Sequence, residues 1–427
     1  MRVAVIGSGG REHALVWSIA RSPEVEELWA VPGNPGTEMI AKNVSLDPLD
    51  FPGILELCKE EAIDLVVVGP EDPLAAGITD YLARHNVLVF GPTRNGAMLE
   101  ASKSVAKNFM ARHNIPHPLF HVFESSKDAV DYVRSEHGPW VIKADGLAKG
   151  KGVTITGNLD EAVAVIEGLV SGRLHGEAGR RIVIEEFLEG REATAMAISD
   201  GNSICCLPMA KDHKRAWNGD KGPMTGGMGV FSPLPFVDED MEKKICTDIL
   251  KKTYLGLKED GIDYRGVIYA GLMLTEKGPK VLEYNVRFGD PEAQCVLPRL
   301  SGDVAGILRA CAQGELLGFL SENEVKVLDE SAVTVVVASA GYPERYATGY
   351  VVEGIDKAEN VSPGNVVLFQ AGTARNQQGQ IVTAGGRVLS VTALSDTIEG
   401  AREIAYNAAK EIKFNGAYYR KDIGRLK

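Results

Sequence analysis

The sequence predicts a multidomain chain of α/β and α+β class: an N-terminal doubly wound parallel sheet, a central α+β region, and a C-terminal β-rich domain with a closing helix. Three observations predict it. Short apolar strands alternate with helical stretches up to about residue 100, the alternation stops at Ser102, and a charged stretch from Glu322 to Glu330 precedes a strand-rich remainder. At 427 residues the chain is too long for one ordinary core, and about two to four domains are expected. The expected divisions are residues 1–101, 102–325 and 326–427, with a mobile lid over about 120–190 inside the second.

In the first region Val3-Ala4-Val5-Ile6, Leu28 to Val31, Leu65 to Val68 and Val87 to Phe90 read as buried strands. Glu12 to Arg21 is helical, with Leu15 and Ile19, Val16 and Ala20 in i, i+4 register. The strands end in Gly/Pro loops such as Pro32-Gly33-Asn34-Pro35-Gly36 and Gly69-Pro70-Glu71-Asp72-Pro73. In a parallel sheet of this kind ligands sit beyond the carboxyl ends of the strands, where such loops lie.

After Ser102 a helix runs from Lys103 to His113 and stops before Ile115-Pro116. Strands follow at Trp140 to Lys143, Ile182 to Glu185, Glu192 to Ile198 and Ile204 to Met209. Met241, Ile245 and Ile249 form the apolar stripe of a long helix, and Val267 to Leu274 pairs with Lys280 to Arg287 across a turn at Glu276-Lys277-Gly278-Pro279. The last region has strands at Val333 to Ser339, Asn365 to Gln370, Gln380 to Thr383 and Arg387 to Thr392. It closes with a helix capped by Asp396 and Glu399, burying Ile398, Ala401, Ala405, Ala408 and Ile412.

The charge balance, 46 basic against 58 acidic residues, gives −12. It favours solubility and argues against nucleic acid as a partner. The cysteines Cys58, Cys205, Cys206, Cys246, Cys295 and Cys311 form no CxxC pair, and free buried thiols in a reducing cytosol are expected. Met1 to Ile6 runs straight into a strand with no basic-then-apolar leader, and the longest apolar run, Val333 to Ala340, is too short for a bilayer. A cytoplasmic chain with no membrane partner is the expectation.

Five segments carry chemistry. Gly7-Ser8-Gly9-Gly10-Arg11-Glu12 opens like a dinucleotide fingerprint, but Glu12 stands at the third glycine and Ala30-Val31-Pro32 ends the second strand without a ribose-binding acid. A phosphate or phosphosugar at this helix N-terminus fits better than NAD; a ligand-free tight turn fits this loop alone equally. Asp145-Gly146-Leu147-Ala148-Lys149-Gly150-Lys151-Gly152 follows the strand bearing Lys143. It lacks Walker A spacing, yet its glycines and lysines suit a flexible cover over a polyphosphate better than a solvated hairpin tip. Glu283-Tyr284-Asn285-Val286-Arg287 alternates, so Val281, Glu283, Asn285 and Arg287 are expected on one face and Leu282, Tyr284 and Val286 on a core face. Glu283 and Asn285 then offer hard oxygen donors for magnesium shared with phosphates, against the plainer reading of a polar edge. Lys211-Asp212-His213-Lys214-Arg215 leads into the glycine-rich run Gly222 to Gly229, a candidate lid. Ile184-Glu185-Glu186-Phe187-Leu188-Glu189-Gly190-Arg191-Glu192 suits an adenine edge and a ribose diol; alone, it is an acidic turn.

In this order the five segments, with Asn285-Val286-Arg287-Phe288-Gly289-Asp290-Pro291-Glu292 and Arg420-Lys421-Asp422-Ile423-Gly424, resemble the ATP-grasp enzymes. Among these they most closely resemble the glycinamide ribonucleotide synthetase, or phosphoribosylamine–glycine ligase, family, over Met1 to Gly424. The resemblance implies a central ATP-grasp fold. It also implies ligation of glycine to 5-phosphoribosylamine through glycyl phosphate, with ATP and Mg2+ (or Mn2+) as cofactors, by a monomer whose partners are small molecules. It assigns Lys103 and Lys143 to the ATP phosphates, with Lys149, Gly150, Lys151 and Gly152 closing over them. Glu185, Phe187 and Leu188 go to the adenine, Glu192 to the ribose, and Glu283 and Asn285 to the metal. Arg287 and Asp212 face glycine or its acyl phosphate; with Lys143 they are the catalytic set. Gly9, Gly10, Glu12, Gly33, Asn34, Gly386, Arg387, Arg420 and Lys421 hold the phosphoribosylamine. Lys149 stands where small residues are common in the family, and Met224 where Asn is. The rival readings are another carboxylate–amine ligase of the same superfamily, a dehydrogenase, and a non-catalytic nucleotide-binding module.

Overall fold

The computed structural model describes residues 1–147 and 152–426. Its first sheet has five parallel strands in the order β3-β2-β1-β4-β5: β1 (Arg2–Gly7), β2 (Glu27–Pro32), β3 (Lys42–Asn43), β4 (Leu65–Val68) and β5 (Val89–Phe90). Val3, Val5, Leu65 and Val67 are fully buried, as are Ala4, Ile6 and Val66 on the other face. Burial on both faces explains why these strands read as unbroken apolar runs. The strand order reverses between β1 and β4. The Gly7 and Gly69 ends meet there, and helix α1 (Gly10–Ile19) starts at the same crevice.

A second sheet, β6 (Phe120–Phe123), β7 (Trp140–Ala144), β8 (Val153–Thr156) and β9 (Ile182–Glu186), has the order β6-β9-β7-β8. Helices Ser126–Ser135 and Leu159–Val170 cover it, closing a small separate core around Val133, Ile142, Ile166 and Ile184. The third sheet is antiparallel, with β10 (Arg191–Asp200) between β11 (Ile204–Cys206) and the strand Arg265–Thr275, which pairs in turn with Gly278–Asn285. β11 stops three residues short of the predicted Met209. The expected long helix is a continuous rod, Glu239–Ile245, Cys246–Lys251 and Lys252–Glu259, whose middle segment is π-helical.

The Arg265–Thr275/Gly278–Asn285 hairpin departs from simple alternation. Gly271 pairs with Glu283, but Leu272 pairs with Val281, so Leu282 is an extra residue in the ladder. Such a bulge shifts the face of everything on one side of it. Val281 therefore joins Tyr284 and Val286 in the core instead of sharing the face of Glu283 and Asn285, and Leu282 leaves the core face. The turn is tighter than predicted, because Thr275 pairs with Gly278 and Leu274 with Pro279. Arg287 lies past the strand end.

The C-terminal sheet is built around Ser331–Ser339, buried along its whole length. Arg387–Ser395 pairs with one edge and Val366–Gln370 extends that side. The other edge is covered by Gly229–Ser232 and then Lys211–Asp212. Two strands from the middle of the chain thus complete the last sheet and carry Asp212 into it. The closing helix Ile398–Ala409 buries the predicted Ile398, Ala401, Ala405 and Ala408, and Ile412 beyond its end is buried too. Its cap is Thr397, whose Oγ1 accepts from the Gly400 N–H at 3.1 Å, and not Asp396; adjacent side chains compete for this place and the backbone turn selects one.

Cys206 and Cys246 are disulfide-bonded, against the expectation of free thiols throughout. Neighbouring strand residues face opposite ways, so only one of Cys205 and Cys206 can turn toward the helical rod. Cys58, Cys205, Cys295 and Cys311 are free. Among the described residues no helix is long and apolar enough to cross a membrane.

Candidate active site

Glu283 and Asn285 lie two apart on the last strand of the third sheet, on one face. The Lys214 Nζ is 3.1 Å from the Glu283 carboxylate. With Lys143 and Lys103 it holds that carboxyl down at about 2, against the effect of burial. A carboxylate and an amide oxygen are hard donors that fit Mg2+. No group of three or more His, Cys, Asp or Glu able to hold a metal exists among the described residues.

The lysines come from two elements that meet at the root of the glycine-rich loop. Asp145, just after β7, accepts the Ser104 N–H at 2.6 Å, and its carbonyl accepts the Lys103 N–H at 3.0 Å. It thereby supplements the Ser102 cap of helix Lys103–Arg112 and sets Lys103 in the first turn. The Lys103 Nζ donates to the Gly146 carbonyl at 3.3 Å, and burial lowers its pKa. Lys143 on β7 is 2.9 Å from Glu185 of β9 and donates to the Leu282 carbonyl at 3.1 Å. From Glu185 the chain leaves the second sheet for β10, through half-exposed Phe187 and partly buried Leu188.

Glu192, Thr194, Asp212, Lys214 and Leu282 line one narrow pocket. Asp212 is buried and its Oδ1 has no hydrogen-bond partner. Burial, and then the charge of Glu292, push its carboxyl well above the usual range. Glu292 accepts from the Tyr269 hydroxyl at 2.6 Å and from Thr194 at 3.2 Å. Gly227, at φ +111°, lies so close over this group that a Cβ there would meet Asp212 Oδ1 at 2.7 Å. The glycine-rich loop is thus packed directly on the pocket.

Arg287 donates to Glu100 at 2.7 Å and to Glu71, at the start of the helix Glu71–Ala76 after β4, at 3.2 Å. Burial opposes ionisation of Glu71, but Arg287 and Arg11 outweigh it and hold the carboxyl at about 2. Burial dominates at Glu100 and raises it to about 7. Glu100 also accepts the Val286 N–H at 2.8 Å, fixing the chain between Asn285 and Arg287.

At the N-terminus of α1, Glu12 folds back to accept the Gly9 N–H at 2.6 Å. It fills the gap between Gly7 and Gly69, where a Cβ on either would strike it. A Cβ on Gly9 would approach Asp290, and one on Gly10 would strike Gln294. Gln294 donates to Asp290 at 2.8 Å, and its own Oε1 is buried without a partner. Arg387 pairs with Asp290 at 3.2 Å and donates to the carbonyls of Gly226 and Asp290. Three distant parts of the chain therefore meet at one helix N-terminus, a ready place for an anion.

Family models fit this arrangement along nearly the whole chain. Residues 1–100 match the N domain of phosphoribosylglycinamide synthetase, 101–293 its ATP-grasp (A) domain and 332–426 its C domain. A phosphoribosylamine–glycine ligase of Nostoc sp. is 46% identical over 99% of both chains. The chain belongs to the phosphoribosylglycinamide synthetase family.

The crystal structure of a phosphoribosylamine–glycine ligase from Thermotoga maritima has the same fold, with TM-score 0.83 and 35% identity over 99% of this chain and 100% of that one. The chain is also 45% identical to the trifunctional purine biosynthetic protein adenosine-3 of Gallus gallus, of which it spans 42%. A member of this family is an ATP-grasp ligase, and the central fold is the one the resemblance implied.

The geometry brings together Lys103, Lys143, Glu185, Glu192, Asp212, Glu283, Asn285 and Arg287, and separately Gly9, Gly10, Glu12 and Arg387. The remaining predicted site residues make the following contacts. Arg420 is fully buried, with its guanidinium committed to Asp422, Asp220 and the Arg215 carbonyl. Lys421 is exposed, and its N–H donates to Asn218. The Asn34 amide ties the β2 loop to the carbonyls of Ser8 and Gln370, and Gly33 at φ +73° makes that turn. Gly386 packs on the Tyr342 ring. Lys149, Gly150 and Lys151 lie outside the described residues; Gly152 accepts the Ala144 N–H and closes the β7–β8 ladder.

Sequence reading missed Lys107, Glu71, Glu100 and Gln294, and gave Lys214 and Glu292 no role. Lys214 and Glu292 stood inside quoted motifs. The signal available for them was charge beside a predicted metal or substrate group.

Proposed function

We propose that this chain joins glycine to 5-phosphoribosylamine, giving glycinamide ribonucleotide, ADP and phosphate, by way of glycyl phosphate. The observation that carries the proposal is the pocket shared by Glu192, Asp212 and Lys214, one ion pair away from Glu283. A nucleotide ribose, a small amino acid and a metal face are within reach of one another there.

In this reading Lys103 and Lys143 take the ATP phosphates beneath the loop Lys149 to Gly152. Glu185, Phe187 and Leu188 take the adenine, and Glu192 the ribose. Glu283 and Asn285 would hold magnesium or manganese. The bound metal supplies charge neutralisation on the transferring phosphoryl group. The unpartnered oxygen of Asp212, with Glu292 behind it, suits the ammonium group of glycine. Arg287, held by Glu71 and Glu100, faces the carboxylate that becomes the acyl phosphate. Gly9, Gly10, Glu12 and Arg387 take the phosphoribosylamine, with the loop of Gly33 and Asn34 and the Gly386 turn behind them. The amine then attacks the acyl carbon and phosphate leaves. Positioning and charge stabilisation lower the barrier, and no covalent enzyme intermediate is required.

A three-part division at residues 1–101, 102–325 and 326–427, with a lid over 120–190, belongs to the same reading. So do a cytoplasmic location and a monomeric state. The test is ADP release with each of several amino acids, with and without phosphoribosylamine. ADP appearing only when glycine and the amine are both present supports the proposal. A nicotinamide absorbance change with no ADP overturns it.

A further inference from the structure

Lys107 lies one turn beyond Lys103 on helix Lys103–Arg112, and its side chain is 2% exposed. Its Nζ is 3.2 Å from Glu185 Oε1, and it donates to the carbonyls of Leu282 at 3.0 Å and Val281 at 3.4 Å. Lys143 meets the same Glu185 oxygen at 2.9 Å and the same Leu282 carbonyl at 3.1 Å. Two lysine side chains therefore lie within ion-pair distance of one carboxylate oxygen, which neither meets in hydrogen-bonding geometry, and both donate to one carbonyl.

That carbonyl belongs to the extra residue of the bulge, which has no partner across the ladder. A buried carbonyl without a donor is costly, and a slip of one residue would turn Glu283 to the opposite face. The doubled donor has a further consequence once a nucleotide binds. If Lys143 turns to a phosphate, it gives up Glu185 and Leu282. Lys107 has no open side from which to reach a ligand; it keeps its bond to the Leu282 carbonyl and its charge beside Glu185.

We propose that Lys107 is a positioning residue: it holds the Leu282 bulge and the Glu185 carboxylate in place, so that Lys143 is released to the nucleotide while Glu283 and Asn285 keep the metal face. It touches neither ATP nor metal. The assignment rests on the ATP-grasp reading of the site.

The test is ADP binding by titration calorimetry, without metal and with Mg2+, in the wild type, Lys107→Met and Lys143→Met. In Lys107→Met the gain in ADP affinity that Mg2+ confers falls by about tenfold or more, in the range for loss of a group supporting a metal ligand. In Lys143→Met the metal-free affinity falls and the Mg2+ gain falls less than in Lys107→Met, because Lys107 still holds the bulge. Thermal unfolding checks that both variants are folded. A folded Lys107→Met protein with the wild-type Mg2+ gain overturns the assignment, as does loss of the gain in Lys143→Met alone. If Lys107→Met does not fold, the Lys143→Met titration decides. A wild type that binds ADP with no help from Mg2+ removes the site reading itself, and this inference with it.

Discussion

Lys214 and Glu283 form an ion pair of 3.1 Å that joins the edge of the C-terminal sheet to the last strand of the central one. Lys214 follows the short strand Lys211–Asp212, which the C-terminal sheet captures. The two sheets are thus coupled at the residue assigned to the metal.

Removing that cation leaves Glu283 to Lys143 and Lys103 alone and loosens its orientation. Lys214→Met is expected to raise the Mg2+ concentration needed for half-maximal rate by about 10–100-fold, the usual effect of losing a group that orients a metal ligand. Initial rates across a Mg2+ titration check it; an unchanged requirement would separate Lys214 from the metal site.

Asp212→Asn preserves shape and removes the carboxylate proposed to pair with the glycine ammonium. The KM for glycine is expected to rise by at least about tenfold, as for a lost charge-assisted hydrogen bond, with the KM for ATP little changed. Glycolate, which replaces the ammonium by a neutral hydroxyl, should gain relative to glycine. Competition between the two substrates in wild type and variant reads this directly.

Arg287→Lys keeps the charge but loses the planar fork that meets Glu71 and Glu100 together. kcat is expected to fall by about 10²-fold, the scale seen when a reacting group is misplaced by about 1 Å. The thermal midpoint should move less than in Arg287→Ala, which leaves buried Glu100 without a cation and Glu71 with Arg11 alone. Parallel kinetics and melting curves on the two variants check the order.

His13 is buried against Phe369, and its Nδ1 accepts the Gln370 N–H at 2.8 Å. Burial lowers its pKa from 6.5 to about 4. The unfolded chain therefore binds the extra proton between pH 6.5 and 4, and stability falls as pH drops through that window. The loss approaches about 3 kcal/mol below pH 4. Melting midpoints at pH 7 and pH 5 measure the drop, and His13→Gln, which keeps an acceptor for Gln370, should flatten it.

The parts of the fold legible in the sequence are those whose signal is local. Strands β1, β2 and β4 are buried on both faces and end in glycine loops, so their apolar runs and punctuation suffice. Glu283 and Asn285 are legible because two residues apart on a strand means one face. The bulge at Leu282 is not legible, since an extra residue leaves no mark in composition; only the pairing with Gly271 and Leu272 reveals it, and it moved Val281 into the core. The Cys206–Cys246 bond and the capture of Gly229–Ser232 by Ser331–Ser339 depend on contacts across 40 residues and more. Lys107 and Glu100 sit on buried helix faces and Glu71 at the start of the helix Glu71–Ala76. Their partners come from residues far along the chain, so their roles emerge only from packing. At Arg420 the motif was visible but its partners Asp220 and Asp422 were not.

In the proposed reaction a phosphoryl group passes to the glycine carboxylate beside Glu283. Turnover with glycine labelled by 18O in both carboxylate oxygens, followed by mass analysis of the released phosphate, tests this most directly. Attack by a carboxylate oxygen on the γ-phosphorus, and later expulsion of phosphate by the amine, carries one labelled oxygen into each phosphate. Phosphate released without label, while glycinamide ribonucleotide is still formed, would contradict it.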